Sequence, residues 1–500
     1  MASYWHLSAP EFPGGREGFL PKKTEVAIIG GGLTGILTAY YLGRSGIRAV
    51  VLEKRRPGDG QTGYTTGKLT CQRGLLYHKL EEERGAETVR IYAEAQLSAL
   101  EEYRRLTEAL DLACDFETLP AVLYTQSRQD DLEAEAVSAR RAGIRAELKR
   151  RTDLPFDVAL ALAYPGQAQF HPLKFLYALS REVELYAGIT VTDVRGHTLV
   201  CDDGQEMEAE RIVFACQYPF KNLPGMYFTK LYQSISYGIA LGGIPPLSAM
   251  YYGIDPGGLS LRSHGDVLLL VGGAHRTGEW GKGKDGGGGL KILRAAANRY
   301  FPRVDVAAEW TGQDCMSPDG LPLIGEYSLL KPDWYVATGF HKWGLLAAMV
   351  AARLLVDRIA GWENPVAPLL RPTRFGQRTL RAVGEETGMA IRGLTKHYFH
   401  APAETADEIA PGEACVVFHR REKAAVHREQ GGELRAVAPY CTHMGCELTW
   451  NPDAGTWDCP CHGSRFSENG EVLFSPAVKP LKNLSGNTGH PKNPSDERKA

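Results

Sequence analysis

A short apolar run, Glu25–Ile29, is followed by the glycine turn Gly30–Gly35, an apolar Ala-rich stretch and a second run, Val50–Glu53, that ends in a carboxylate. Short apolar runs bounded by glycine predict buried strands, so this end of the chain reads strand, turn, helix, strand. From Tyr77 to Leu112 apolar residues recur at helical spacing among charged ones, for example Leu97, Leu100 and Tyr103. That predicts a helix whose stripe serves core packing. Trp334–Gly339 predicts another strand, with an apolar helix beyond Gly344. From His400 the pattern changes to short strands, at Ala414–His419, Leu434–Ala438, Thr456–Asp458 and Glu471–Leu473. The segment Gly376–Lys396 predicts a connecting helix, and the polar Gly/Pro/Asn/Ser tail predicts disorder. The pattern divides the chain into an irregular arm (1–24), a large unit (25–375), a connector (376–399), a small all-β unit (400–483) and a tail (484–500). The run Gly281–Gly289, holding Lys282, Lys284 and Asp285, lacks Walker spacing and predicts a flexible loop.

With 500 residues and 43% hydrophobic content the chain can bury more than one core. A net charge of −2 without basic clusters gives no reason to invoke nucleic acid. The sequence contains no apolar run of membrane-spanning length and no signal-peptide layout, so the cytoplasm is the expected location. Of ten cysteines, Cys71, Cys114, Cys201, Cys216, Cys315 and Cys415 are scattered without pairing pattern and read as buried, reduced small hydrophobes.

The other four belong to one motif. Cys441-Thr-His443-Met-Gly-Cys446 and Cys459-Pro-Cys461-His462-Gly-Ser464 offer two Cys and two His as CxH and CxxH. Such a set can hold a 2Fe-2S cluster with thiolates on one iron and imidazoles on the other. Zinc would also accept Cys and His, but its usual CxxC and HxxxH spacings are missing. The pattern resembles the Rieske family. The resemblance implies that Cys441 and Cys459 bind one iron, that His443 and His462 bind the other, and that Cys446 and Cys461 form the disulfide tying the two cluster loops. It places at Ser464 a hydroxyl that hydrogen-bonds a cluster sulfur, and at Phe466 the position where the highest-potential relatives carry Tyr. With one sulfur-directed donor missing, the expected potential lies in the lower or middle part of a window of about −150 to +300 mV.

At the other end, Gly30-Gly31-Gly32-Leu33-Thr34-Gly35 between strand and helix, with Glu53 and Lys54 closing the next strand, forms a dinucleotide fingerprint. Its glycines admit a pyrophosphate to a helix N-terminus, and the acid takes ribose hydroxyls. The fingerprint alone does not choose FAD over NAD. Further segments resemble the FAD-dependent D-amino-acid oxidase superfamily over most of residues 1–375, and Ser3-Tyr-Trp5 resembles the extension of its putrescine-pathway members. Thr65-Thr66-Gly-Lys68-Leu69-Thr70 is similar to the loop lining pyrophosphate and flavin, and Val191, ahead of Arg211–Ala215, to the adenine-holding position. The run from Asp319 and Gly320 to Gly325 is similar to the loop beside the isoalloxazine, and Trp334–Gly339 with Phe340-His341-Lys342-Trp343-Gly344 to the last strand and helix. The resemblance implies an α/β, Rossmann-like FAD-binding fold with an interleaved substrate part containing a mixed or antiparallel sheet, followed by the all-β Rieske domain. Lys68, His341 and Lys342 are candidates to neighbour the flavin, and each could equally be structural.

A flavin takes two electrons as a hydride, and a Rieske cluster carries one at a time. Their fusion predicts oxidation of a small amine or amino acid at FAD and export of electrons through the cluster to an external acceptor, whether protein, quinone or O2. The lack of a Gly/Ser-rich linker after Gly376 predicts a docked cluster domain. A Rieske oxygenase would need a mononuclear iron site, normally with an HxxxxH pair, and none of the fourteen histidines has that spacing. An NAD(P)H-dependent reductase would need a second fingerprint. A redox sensor without substrate, and a simple O2-using oxidase whose cluster is off the electron path, stay open.

Overall fold

The computed structural model describes residues 1–16, 18–280, 288–374, 388, 406–419 and 422–485. It falls into two compact units, one of residues 1–276 and 283–386, the other of residues 277–282 and 387–500.

The larger unit is organised by two sheets. In the first, Lys23–Ile29 pairs in parallel with Ala49–Glu53 on one side and Glu206–Phe214 on the other. Glu184–Ala187 and Lys331–Thr338 extend the parallel pairing, and Val191–Arg195 with Thr198–Cys201 adds an antiparallel edge. Val26, Ala27, Ile28, Val50 and Val51 are fully buried, the uninterrupted apolar signature of parallel strands covered on both faces. The helices Leu33–Arg44 and Gly344–Ala360 pack on each other beside this sheet. The second sheet has eight strands, running Val306–Met316, Tyr232–Leu241, Val267–Arg276, Ser260–His264, Met250–Gly253, Ala121–Thr125, Leu160–Tyr164 and Glu147–Lys149. All its pairings are antiparallel except that of Met250–Gly253 with Ala121–Thr125, so it is the mixed sheet that the family resemblance implies.

Three expectations change. The irregular arm contains the helix Tyr4–Ser8, started by a capping box of Ser3 and His6. Its Trp5 is fully buried, donates from Nε1 to Thr65 O at 2.6 Å and lies under the Arg262 guanidinium at 4.9 Å. The helix expected over Tyr77–Leu112 is two, Leu76–Arg84 and Ala86–Ala109, because Gly85 adopts φ 81°, a left-handed conformation that ends one helix and turns the chain into the next. The glycine-rich run ends in structure, since Gly289 opens the helix Gly289–Tyr300, while residues 281–287 lie outside the described residues. So do the expected connecting helix, apart from residue 388, and the tail from residue 486.

The smaller unit holds two antiparallel sheets. One has three strands, Ala414–His419, Glu422–Arg428 and Leu434–Val437; the other has four, Thr449–Asn451, Thr456–Asp458, Arg465–Ser467 and Val472–Phe474. The two cysteine-histidine motifs occupy the loops before Thr449 and between Asp458 and Arg465. Residues 277–280 pack into this unit, with Thr449 Oγ1 donating to Gly278 O at 3.0 Å.

Candidate functional site

The fingerprint turn is shaped by contacts that exclude side chains. A Cβ on Gly30, which has φ 116°, would lie 2.6 Å from Ala215 O; one on Gly31 would lie 2.7 Å from Glu53 Cβ; one on Gly35 would lie 1.9 Å from Gly30 O. Gly31 N donates to Glu53 Oε2 at 2.7 Å and Arg55 N to Glu53 Oε1 at 2.9 Å, which fixes the carboxylate at the end of its strand. Gly32 is the N-cap of Leu33–Arg44 and offers no side-chain cap. Leu33 N donates to Thr62 Oγ1 at 3.1 Å, and Leu33 and Thr34 are buried. A helix N-terminus cleared of side chains fits a pyrophosphate.

The other expected flavin-lining positions come from separate elements of the same unit. Lys54 is partly buried, and that burial, aided by Arg55, pushes its ammonium down. Thr66 O accepts from Arg262 Nη1 at 2.9 Å, Leu69 is fully buried, and Val191 begins a strand. Gly320 and Gly339 take φ 83° and 68°, which glycine adopts without strain. Gly344 begins the helix Gly344–Ala360, whose N-cap Trp343 contributes no side-chain cap, so its first N–H groups are available to an anionic flavin pyrimidine.

Among the three charged candidates the structure separates roles. Lys68 Nζ donates to Tyr251 O and Ser260 Oγ, both at 2.7 Å, so its ammonium fastens the loop to the second sheet. Burial, then Arg262, holds that ammonium far below its ordinary pKa. His341 is a non-glycine residue at φ 56°, the sort of local strain found at functional sites. Its N–H donates to Cys315 O at 3.0 Å and its Nε2 lies 2.8 Å from Ser317 Oγ. Burial, with the Arg73 guanidinium adding to it, pushes the His341 imidazole down to about 3, so it is neutral at physiological pH. Lys342 Nζ donates to Ser236 Oγ at 3.0 Å.

Sequence reasoning passed over several residues here. Asp314 and Gln61 meet by a 3.0 Å hydrogen bond between segments more than 250 positions apart. Arg73, 4% exposed, carries its guanidinium over the Tyr92 ring at 5.6 Å, and none of its three nitrogens has a hydrogen-bond partner among the described residues. The Tyr92 hydroxyl and both polar atoms of the Gln96 amide are likewise buried without partners among the described residues. Polar atoms orphaned in a core are costly, so a polar group bound beside them would fit. Only the placement of a lone charge in a mostly apolar stretch hinted at Arg73.

In the smaller unit Cys441 and Cys459 are buried, His462 is 1% exposed, and the His443 and His462 rings stand 5.0 Å apart at 88°. The Cys441 and Cys459 thiols adjoin, and their mutual interaction lowers Cys441 and raises Cys459. Burial pushes the His443 imidazole down to about 4, leaving it neutral, as a metal ligand must be. Cys446 and Cys461 are joined as a disulfide. The sulfurs of Cys446, Cys459 and Cys461 cluster within 4.8 Å, yet two of them are spent in that disulfide, so no three-thiolate zinc site forms there. Ser464 is fully buried, hydrogen-bonds the Cys441 sulfur and accepts from Ala477 N at 3.0 Å. Two thiols, two imidazoles and a sulfur-directed hydroxyl fit a Rieske cluster.

Comparison with known proteins gives matching results. Residues 25–358 match the family described as FAD dependent oxidoreductase, and residues 400–485 match the Rieske [2Fe-2S] domain. A Rieske 2Fe-2S iron-sulfur protein of Bacillus subtilis (strain 168) is 33% identical over 500 residues, covering 96% of this chain and 97% of that protein. The cytochrome b6-f complex iron-sulfur subunit of Chlorobaculum tepidum is 29% identical over 118 residues, covering 22% of this chain and 65% of the subunit. In fold, glycine oxidase from Geobacillus kaustophilus superposes with a TM-score of 0.58 at 20% identity, covering 71% of this chain and 100% of that one. L-amino acid deaminase from Proteus vulgaris gives 0.58 at 16% identity, covering 73% and 100%.

Proposed function

Because the chain belongs to the FAD-dependent oxidoreductase family and carries a Rieske [2Fe-2S] domain at its C-terminal end, we propose that it oxidises a small amine or amino acid and exports the electrons singly to an external acceptor. The observation that carries this reading is the joining, in one chain, of a dinucleotide cradle and a two-thiol, two-imidazole set. When bound, FAD takes two electrons with a hydride and the cluster passes one at a time. Gly30, Gly31, Gly32 and Gly35 would admit the pyrophosphate, Glu53 would take the ribose hydroxyls, and the N-terminus at Gly344 would face the flavin pyrimidine. Cys441 and Cys459 would hold one iron and His443 and His462 the other, with Ser464 hydrogen-bonded to a cluster sulfur. The neutral His341 imidazole, anchored by Ser317, orients that wall of the site without adding charge. The fold neighbours are a glycine oxidase and an L-amino acid deaminase, which supports the substrate class proposed here. No described helix is long and apolar enough to cross a membrane.

Anaerobic titration with amines and amino acids, following flavin absorbance and cluster EPR together, tests the proposal. Substrate should bleach the flavin and reduce the cluster in the wild type. Cys459→Ser should leave flavin reduction intact and slow only reoxidation by the acceptor. A cluster that stays oxidised while the flavin bleaches, with oxygen reoxidising both proteins equally fast, would make the chain a simple oxidase.

A further inference from the structure

Arg73 lies between the short strand Lys68–Leu69 and the helix Leu76–Arg84 of the larger unit. Its guanidinium sits over the Tyr92 ring, and its Nε, Nη1 and Nη2 are buried with no hydrogen-bond partner among the described residues. Tyr92 belongs to the helix Ala86–Ala109, and Gln96 follows it one turn along the same face. The Tyr92 hydroxyl and the Gln96 Oε1 and Nε2 are equally buried and unpartnered among the described residues. Two turns beyond Gln96 the Tyr103 hydroxyl donates to Leu345 O at 2.8 Å, so this face is turned toward the start of the helix Gly344–Ala360. A cation, a hydroxyl and an amide therefore share one part of the core with their donors unspent.

Other buried arginines show how this chain satisfies a structural guanidinium. Arg262 donates from Nη1 to Thr66 O and Phe170 O, both at 2.9 Å; Arg465 meets Asp458 at 3.2 Å and Arg374 meets Asp319 at 2.8 Å. Asp319 acts on Tyr92 and His341, as Arg73 does, but each of its oxygens already accepts two hydrogen bonds, from Arg84, Arg374 and Leu321 N. It has no capacity left for Arg73. A desolvated cation without a counter-charge costs far more than an orphaned hydroxyl. Water would occupy the N–H groups and leave the charge uncompensated, whereas an anion does both.

We propose that Arg73, Tyr92 and Gln96 form an internal binding site for a small planar oxyanion of the size of formate, nitrate or bicarbonate. The guanidinium fork matches two coplanar oxygens, and the hydroxyl and the amide N–H groups supply further donors. Each of the three side chains is at most 4% exposed, so the site takes an anion without a tail, unlike a substrate presented to the flavin. Burial first and then the Arg73 charge keep the His341 imidazole neutral, so occupancy of the site bears on a residue expected beside the flavin. The site does not depend on the oxidation reading.

The test uses the full chain loaded with FAD and cluster, and sodium formate as probe, at an ionic strength held with sodium gluconate, whose anion is too large to enter. Titration calorimetry measures binding, and the temperature at which FAD fluorescence is released reports unfolding of the larger unit. Formate should bind saturably and raise the release temperature of the wild type, and nitrate should compete with it. Arg73→Met should bind formate about tenfold or more weakly, the scale of a lost charge-assisted hydrogen bond. In formate-free buffer it should release FAD at the wild-type temperature or above, because it removes an uncompensated charge. Tyr92→Phe deletes one unpartnered hydroxyl and should weaken formate severalfold at full FAD content, which decides the matter should Arg73→Met fail to fold. Absence of saturable binding, or wild-type affinity in either variant, overturns the proposal. So does a folded Arg73→Met that releases FAD at a lower temperature in formate-free buffer, since Arg73 would then be a packing residue. Formate that binds the apoprotein and is expelled by FAD overturns it as well, because the flavin itself would fill the site.

Discussion

At the scale of single residues, the glycines of the fingerprint divide into two kinds. Gly30, Gly31 and Gly35 are required by the protein itself, because a Cβ on each collides with backbone or with Glu53 at 1.9–2.7 Å. At Gly32 the nearest atom to a Cβ is Thr62 Oγ1 at 3.3 Å, so the fold tolerates a side chain that a pyrophosphate would not. Gly32→Val should therefore give a folded protein, destabilised by about 1 kcal/mol through poorer capping, that has lost FAD while its Rieske EPR signal persists. Full FAD content in that variant would remove the fingerprint assignment. On the cluster side, Phe466 is fully buried in the core that holds Cys441 and Cys459, opposite Trp457 in the strand register. Phe466→Tyr should place a hydroxyl near a cluster sulfur and raise the midpoint potential, because a hydrogen bond to sulfur stabilises the reduced cluster. Protein-film voltammetry showing an equal or lower potential would mean that this ring faces elsewhere.

At the scale of elements, local signals were legible where pattern and punctuation agreed. Thr456–Asp458 is a strand as expected, an apolar centre bounded by Ala454-Gly455 on one side and Cys459-Pro460 on the other. Gly85 was missed as a break because the stripe on either side of it keeps helical spacing. The Tyr4–Ser8 helix was missed because its capping box uses His6, and its stability comes from burying Trp5 rather than from its own propensity. A titratable group from the helix Gln129–Arg141 caps the first of the two Gly85-linked helices. Glu135, fully buried, accepts from Tyr77 N at 3.1 Å and His78 N at 2.8 Å, and burial raises its carboxyl from 4.5 to about 7. A raised folded pKa means stability is fully present below pH 4.5, falls as pH rises through 7 and levels off above it. At about 1.4 kcal/mol per unit, the loss across that window is about 3 kcal/mol. Glu135→Gln keeps an acceptor and removes this titration, so chemical denaturation between pH 4.5 and 8 should show a steeper fall in stability in the wild type than in the variant. Parallel slopes would show that Glu135 titrates normally.

For the whole molecule, what the sequence could not disclose is what depends on pairing distant segments. The two cofactor motifs are contiguous and were readable with their residue types. The Asp314, Ser236 and Gln61 arrangement exists only because strands about 75 positions apart adopt one register and the loop after the second fingerprint strand folds over them. The same holds for the smaller unit, which is not contiguous in sequence. Its matched domain spans 400–485, yet the compact unit includes residues 277–282. Gly278, at φ 82°, lies so close to the second cluster loop that a Cβ would come within 2.5 Å of Pro460 Cα and N and 2.9 Å of Cys459 C. Its carbonyl accepts from Thr449, and Trp280 Nε1 reaches Asp453 Oδ2 at 3.4 Å. Chain from well before the Rieske motif thus lies against the Cys459–Pro460 peptide, which must hold its shape if Cys459 and His462 are to meet one cluster as proposed. Backbone against backbone leaves no flexible atom to yield, and the left-handed φ adds strain for any side chain. Gly278→Val should therefore displace the Cys459–Pro460 segment, broaden or shift the Rieske EPR signal and hasten cluster loss on warming, with FAD content unchanged. A wild-type EPR spectrum and cluster lifetime in that variant would show that residues 277–280 merely lie along the loop without shaping it.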